Sequence, residues 1–324
     1  MNNAHEVLDV GYAARVVPEV RVPFAAPVDV RASLELFRRS GDDLVDRWDG
    51  QRLVRAVRIG RTWVPFMAMP EGTLAAPAMR VVIETPEHLD AIRDVAERTF
   101  VPAPPEYAGL LERDAVLARL NTRFPGIRQI RQLDLFTALV RCISAQQVNL
   151  RWAVTTRRRL AETFGERHVV AGQAVYSLDP ERIAGVDTTD IRALQFTTSK
   201  SLSIVAVARA MADAAVSLEE LQRLSDEDVI SRLVTIRGIG RWSAEWVLAR
   251  TLGRARVVAG DLGVRKAVGL AYLGTPAPSE NQVRELTAHW GESSSVAQAV
   301  LLQALGEGAL SAPKPRVSGA ASRR

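Results

Sequence analysis

The residues of this 324-residue chain with the clearest chemical potential gather in one stretch, Leu233 to Asp261, which reads LVTIRGIGRWSAEWVLARTLGRARVVAGD. Gly238 and Gly240 flank Ile239, and glycine allows both unusual dihedrals and the close approach of another backbone. A helix is expected to begin directly after them, so the amides of Gly238, Gly240 and Ser243 would point outward at its N-terminus. Uncommitted N–H groups and the positive end of a helix dipole together seat a phosphate. Contacts of that kind bind nucleic acid without reading its sequence. The same residues also suit a plain glycine turn between packed helices, because a two-glycine pattern is short. Trp242 and Trp246 are one helical turn apart and share a face. An indole stacks on planar or cationic rings, and two tryptophans on one face also simply fill a core. Asp261 follows the apolar run Val257-Val258-Ala259 as an isolated carboxylate. Taken alone, it suits the N-cap of a helix starting at Leu262.

Several elements must position these groups. Ser225-Asp226-Glu227-Asp228 is a helix start, and Val229, Ile230, Leu233, Val234 and Ile236 give an apolar stripe leading to the glycine turn. Upstream, Phe136, Leu139, Val140 and Ile143 fall at i, i+3, i+4 and i+7 and predict a buried helix face. Asn149 can cap the following helix, which is expected to turn Trp152, Leu160 and Phe164 inward and Arg157-Arg158-Arg159 partly outward. Asp179-Pro180 reads as an N-cap followed by proline at the first helical position. Ile204, Val207, Ala208 and Met211 mark another amphipathic helix, and two more are expected around Gln282–Trp290 and Val296–Leu305.

The first third of the chain has a different period. Leu53–Ile59 alternates as a strand, with Thr62–Phe66 as its hairpin partner across Gly60-Arg61 and Met79–Glu84 as a third strand. Leu34–Phe37 starts a short helix, and Pro86 to Phe100 reads as an amphipathic one. The expected fold is an α+β N-terminal domain, a small antiparallel sheet with helices on one side, followed by an all-α domain. Val101-Pro102-Ala103-Pro104-Pro105 is the clearest linker. The boundaries drawn are a loose segment over 1–20, the α+β domain over 21–107, the helical domain over 108–310, and a disordered basic tail over 311–324.

Composition narrows the classes. With 47% hydrophobic and 24% charged residues the chain is an ordinary globular one. A net charge of +5 and a pI near 9.8 suit a polyanionic partner. The single cysteine, Cys142, rules out a disulfide framework and any cluster held by four thiolates. It lies on an apolar helix face, as a buried inert thiol would. No run of eighteen apolar residues and no signal-peptide pattern occurs, so a cytoplasmic location is expected.

Hairpin, glycine turn, second helix and downstream aspartate together resemble the helix-hairpin-helix DNA glycosylase superfamily, and within it the AlkA-type 3-methyladenine DNA glycosylases. The matching residues are Gly238-Ile239-Gly240-Arg241-Trp242-Ser243-Ala244 and Gly260-Asp261-Leu262-Gly263-Val264-Arg265-Lys266. A second block is Phe124-Pro125-Gly126-Ile127 with Ile143-Ser144-Ala145-Gln146-Gln147-Val148. The resemblance implies a monofunctional, monomeric base-excision enzyme acting on duplex DNA. Asp261 would stabilise the oxocarbenium-like sugar and orient water. Trp242, Trp246, Trp290 and Leu262 would wall the pocket for the extruded base, and Gln146 and Gln147 would plug the gap it leaves. Alkylated purines (3-methyladenine and 7-methylguanine) are the implied substrates.

The resemblance also sets limits. Strand-cutting relatives carry a lysine nucleophile where Trp242 stands, so no Schiff base is available here. No cofactor and no iron–sulfur cluster is implied, and the main-chain carbonyls of Val234, Ile236 and Ile239 could hold a monovalent cation. The family stretch WxxWRSYA is Trp290-Gly291-Glu292-Ser293-Ser294-Ser295-Val296-Ala297 in this chain, with Ser293 and Ser294 replacing Trp and Arg. That departure keeps an alternative open, a non-catalytic hairpin protein that binds distorted or damaged DNA.

Overall fold

The structure is a computed structural model in which residues 18–310 are described. Five antiparallel strands, β1 (Glu19–Pro23), β2 (Asp46–Trp48), β3 (Leu53–Ile59), β4 (Thr62–Thr73) and β5 (Ala76–Val82), form one sheet in the order β1-β5-β4-β3-β2. The β3–β4 hairpin closes with Ile59 opposite Thr62, as the Gly60-Arg61 turn predicts. Two strands of this sheet escaped the sequence reading. Glu19 and Val20 belong to the edge strand β1, paired with Val82 and Val81, rather than to a loose segment. The short β2 pairs with β3.

Alternate residues of β3, β4 and β5 are buried on opposite faces. Val57, Val64, Phe66, Met79 and Val81 pack with Leu34 of α1 (Val30–Arg38) and Ile92 of α2 (Leu89–Glu97). Val54, Met67 and Val82 face the other way, against Val170 and Val175. The latter two belong to a hairpin, β6 (Glu166–Val170) and β7 (Gln173–Ser177). The sheet is therefore covered by helices on one face and by a hairpin on the other. This corrects the expectation of an all-α second domain. The hairpin's turn, Ala171-Gly172, has φ of 46° and 72°, the left-handed pair that suits a two-residue connection between twisted strands.

Thirteen more α-helices follow among the described residues: α3 (Glu106–Arg113), α4 (Ala115–Arg123), α5 (Leu135–Ala145), α6 (Leu150–Phe164), α7 (Pro180–Ile183), α8 (Thr188–Ala193), α9 (Thr198–Ala212), α10 (Leu218–Arg223), α11 (Asp226–Val234), α12 (Arg241–Val247), α13 (Leu262–Val268), α14 (Glu280–Thr287) and α15 (Ser294–Gly306). The expected caps form, with Asn149 accepting from the Trp152 amide, Asp179 from Glu181 and Ser225 from Asp228. Among the described residues, no helix is long and apolar enough to cross a membrane.

The helices make two cores. Phe136, Leu139, Val140 and Ile143 of α5 join Ile204 and Val207 of α9, Leu233 of α11 and Val247 of α12. Leu110, Leu117, Ala259, Val264, Trp290 and Val300 make the second, around α3, α4, α13 and α15. The chain crosses from the first core to the second between α12 and α13.

A buried charge cluster joins the sheet region to the first core. Asp43 accepts from Arg141 Nη1 at 2.9 Å and from Arg157 Nε at 2.9 Å. Asp46 accepts from Arg141 Nη2 at 2.8 Å and from Arg55 Nε. Burial disfavours the Asp43 charge, yet Arg141 and Arg157 outweigh it and hold the carboxyl at about 2. Arg157 thus points inward, contrary to the sequence expectation. Trp152 is the opposite case, 39% exposed with the Arg159 guanidinium 5.6 Å from its ring centroid. The acidic pair that draws Arg157 inward lies about a hundred residues away in sequence, as the separation of 114 residues between Asp43 and Arg157 shows.

Candidate active site and hairpin

The glycine turn joins α11 to α12 as the spacing predicts, but its two glycines differ. Gly238 has φ +82°, and a Cβ there would collide with the Ser203 hydroxyl of α9. Gly240 is extended, with φ −101° and ψ 179°, a conformation open to any residue. A Cβ there meets nothing within 4 Å. Packing therefore requires the first glycine and leaves empty space at the second. Neither amide donates to a backbone carbonyl among the described residues. Ser243 lies in the first turn of α12 with its side chain sealed inside, so only its amide is available at the helix end.

Two further turns converge on this one. Gln146, at the end of α5, donates through Nε2 to the Gly238 carbonyl at 3.0 Å. Gln147 is exposed, with φ +54°. Lys200, at the start of α9, donates through Nζ to the Ser144 carbonyl at 2.9 Å, and burial pushes its pKa down. Lys200 and Ser203 were absent from the sequence reading. The signal that could have found them, Thr197 capping α9 by accepting from the Lys200 amide, marks a helix start but gives no hint of what lies opposite. Arg237 is exposed at the turn and makes no hydrogen bond among the described residues, whereas Arg241 is paired with Glu227 and Glu245.

Asp261 caps α13, where Oδ1 accepts from the Val264 amide at 3.0 Å. Oδ2 takes no hydrogen bond among the described residues. The cap and an outward carboxylate oxygen coexist in one side chain. Trp242 is close by, since a Cβ on Gly260 would lie 3.4 Å from its Cδ1. Trp242 and Trp246 are both half-buried on the same face of α12. Leu262 is 78% exposed beside the carboxylate. Trp290 is placed differently, 2% exposed within the second core and flanked by Tyr272 and His289 with ring centroids 6.3 and 6.4 Å away.

The replaced stretch after Trp290 is folded and closed. Gly291 kinks the chain (φ 50°, ψ −130°). Ser294 donates to the Gly291 carbonyl at 2.6 Å, and Ser295 to that of Arg254 at 3.0 Å. Small hydroxyl side chains here let α15 lie against the segment before Asp261, where Gln298 Oε1 accepts from the Val258 amide at 2.9 Å. Neither of two surface cavities, of about 280 and 560 Å³, is lined by Asp261, Trp242 or Trp246.

Two more residues missed by sequence reasoning shape the site. Glu245, 1% exposed, accepts from Arg241, Arg256 and Arg284 at 3.2, 3.2 and 3.0 Å and so fixes α12 against the segment leading to Asp261. Arg250 stacks on Trp246, with its guanidinium carbon 5.3 Å from the ring centroid. It has Asp261 and Cys142 as electrostatic neighbours. Burial drives the Cys142 thiol well above its usual range, in keeping with an inert thiol. As for the carbonyls considered for a cation, that of Ile236 already accepts from the Ile239 amide at 3.1 Å, while those of Val234 and Ile239 accept from no backbone amide among the described residues.

Comparison with known proteins places this geometry. The family model of HhH-GPD superfamily base excision DNA repair proteins matches residues 140–293. DNA-3-methyladenine glycosylase 1 of Schizosaccharomyces pombe is 30% identical over 168 residues, which cover 51% of this chain and 69% of that protein. The chain belongs to the HhH-GPD superfamily. A second superfamily relative, the DNA-3-methyladenine glycosylase of Bacillus subtilis, is 31% identical over 198 residues, or 60% of this chain, and the match spans 65% of its length. Among solved structures, the 3-methyladenine DNA-glycosylase from Archaeoglobus fulgidus superposes with a TM-score of 0.77 at 24% identity, covering 88% of this chain and 98% of that one. That likeness extends the shared fold through the N-terminal sheet.

Proposed function

We propose that the protein is a monofunctional DNA glycosylase of base excision repair, releasing alkylated purines from duplex DNA by hydrolysis and leaving an abasic site. The observation that carries this reading is Asp261, whose Oδ1 is fixed by the α13 amide at 3.0 Å while Oδ2 takes no hydrogen bond among the described residues. Names borne by relatives in the superfamily point to the same activity.

In this reading duplex DNA lies across the three converging turns. Phosphate approaches the amides of Gly238, Gly240 and Ser243, and the space above Gly240 leaves room for it. Gln147 enters the stack, with Gln146 held to the hairpin, and the damaged nucleotide turns toward Asp261. Trp242 and Trp246 offer indole surface to an alkylated base, whose positive charge attracts the ring. Trp290 reaches the base only if the second core opens, so Leu262 is the better placed wall. As the C1′–N bond lengthens, the Asp261 carboxylate faces the growing positive charge on the sugar and orients the water that adds to C1′. Cleavage of the strand would need an amine that Trp242 does not supply. A monovalent cation shared by the Val234 and Ile239 carbonyls and a phosphate would strengthen the hairpin contact.

The test is base release from methylated duplex DNA by wild type and by Asp261→Asn. The expected result is release of 3-methyladenine or 7-methylguanine by wild type and its loss in the variant, with binding to abasic DNA retained. Tight binding to abasic or bulged duplex without any release by wild type would instead favour the non-catalytic reading, which the altered Ser293-Ser294 stretch supports.

A further inference from the structure

Asp261 is reached through a stretch without regular structure. Within residues 256–261 one backbone–backbone hydrogen bond forms among the described residues, from the Asp261 amide to the Val258 carbonyl at 2.9 Å. That bond closes a turn over Ala259-Gly260 and leaves the carboxylate at its far corner. α13 holds the far corner twice. Asp261 Oδ1 accepts from the Val264 amide, and the Asp261 carbonyl accepts from the Arg265 amide at 2.8 Å. The near corner depends on α15. There the Val258 amide donates to Gln298 Oε1 at 2.9 Å, and one turn earlier on the same helix Ser295 donates to the Arg254 carbonyl at 3.0 Å. Ser295 and Gln298 stand at i and i+3, so they share a helix face and hold the incoming chain at two points.

Glutamine is costly at this position. Gln298 is 1% exposed, and its neighbours Val296, Ala297, Ala299 and Val300 all belong to the second core. An amide group loses free energy on burial unless its atoms are hydrogen-bonded, and the Gln298 Nε2 is sealed without a partner among the described residues. An apolar side chain of the same length would avoid that loss, but would leave the buried Val258 amide without an acceptor. One end of the side chain is thus left unsatisfied while the other holds the turn.

We propose that Gln298 is a positioning residue for Asp261, which fixes the near corner of the turn through the Val258 amide and so sets where the carboxylate stands, with Ser295 as the second anchor. The proposal rests on the glycosylase reading above and deepens it by naming what holds the carboxylate in place. The bond to the Val264 amide fixes Asp261 relative to α13. The Gln298 bond fixes the chain entering the turn relative to α15, and the two helices together define the position. Attraction between a carboxylate and the positive charge growing on the sugar depends on their separation, and a misplacement of about 1 Å can lower a rate on the order of a hundredfold. Gln298 acts at one remove, through the backbone, and touches neither base nor sugar.

Single-turnover release of 7-methylguanine from duplex DNA at saturating protein tests this, with wild type, Gln298→Met and Gln298→Glu. Methionine keeps the length of glutamine and removes the acceptor. Glutamate keeps an oxygen that accepts from the Val258 amide, whether or not burial holds it protonated. The expected result for Gln298→Met is a release rate per folded molecule lower on the order of tenfold to a hundredfold. Its dissociation constant for an abasic duplex should stay within about threefold of wild type, because a loss confined to the chemical step leaves ground-state binding intact. Gln298→Glu should recover most of the rate. A merely structural role would lower the unfolding temperature and leave the rate per folded molecule unchanged, and that result overturns the proposal. Equal losses in Gln298→Met and Gln298→Glu overturn it as well, and so does a loss of binding as large as the loss of rate. Should Gln298→Met fail to fold, Ser295→Ala decides, since it removes the second anchor without opening a large cavity. A slower release with unchanged binding supports the positioning role of α15, and an unchanged rate overturns it. In each of these failures wild type still releases the base and the glycosylase reading stands. Absence of release by wild type overturns that reading itself.

Discussion

Two of the places where the molecule buries charge treat it in opposite ways. At the junction of sheet and helices, Asp43 and Asp46 each meet two arginines, and Arg157 also reaches the Ser144 hydroxyl at 2.8 Å. At the passage from α12 to α13, among the described residues, the Arg250 side chain has no hydrogen-bond partner, Asp261 uses one oxygen only, and the hydroxyls of Ser243 and Thr251 are sealed without partners. A buried charge whose partners are all internal fixes two parts of the fold against each other. Buried donors and a carboxylate oxygen left uncommitted are poised for something that the protein does not itself contain. The first cluster serves structure and the second serves the proposed chemistry.

Four experiments break or sharpen that contrast. Removing a carboxylate from the closed cluster has the largest expected effect on stability. Asp43→Ala leaves Arg141 and Arg157 short of a partner and should cost about 3–5 kcal/mol in denaturant unfolding. A loss below about 1 kcal/mol, the scale of an exposed ion pair, would mean that the cluster is solvated and the contrast unfounded. At the open cluster the effect should fall on activity. Asp261→Asn should lower base release on the order of a hundredfold or more, with stability nearly unchanged because asparagine caps a helix as well as aspartate does. A large fall in stability instead would make Asp261 a structural residue.

Acid should weaken the closed cluster through Asp43. The Asp43 carboxyl is held at about 2 against an ordinary 3.8. Its folded-state value is depressed, so its contribution is present above 3.8 and is lost as pH falls through the range down to about 2. The difference amounts to about 2 kcal/mol. Unfolding free energies measured between pH 5 and pH 2 should fall less steeply for Asp43→Asn than for wild type, and parallel slopes would contradict the assignment. The smallest effects separate the two hairpin glycines. Gly238→Ala faces both a left-handed backbone and the Ser203 hydroxyl, and should cost about 1–3 kcal/mol. Gly240→Ala should leave stability within about 0.5 kcal/mol while weakening DNA binding, because the space it fills is on the ligand side. Unchanged binding by Gly240→Ala would remove that space from the proposed phosphate site.

Much of this was legible in the chain itself, and the residues show why. The α11–α12 hairpin, its caps and the helix after Asp261 follow from local signals, since a cap and an apolar stripe act within one or two turns. The β3–β4 hairpin was readable for the same reason. The β6–β7 hairpin carried a signal in Val169-Val170-Ala171-Gly172 with Val175, but its helical surroundings hid it. Arg157 and Trp152 were assigned to the wrong sides because helical phase alone cannot foresee a pair of aspartates more than a hundred residues away in sequence, as Arg157 and Asp43 are. Both glycines of the turn were read as permitting unusual dihedrals, and only Gly238 adopts them.

The sequence by itself determined the family, the hairpin and the position of Asp261, because these depend on short-range spacing and on residue types that few other motifs combine. Tertiary structure alone decided which groups are committed. The burial of Trp290, the convergence of Gln146, Lys200 and Ser203 on the hairpin, and the uncommitted guanidinium of Arg250 beneath Trp246 each depend on contacts between elements distant along the chain. Whether a polar group finds a partner is a property of the packed interior, and no local pattern encodes it.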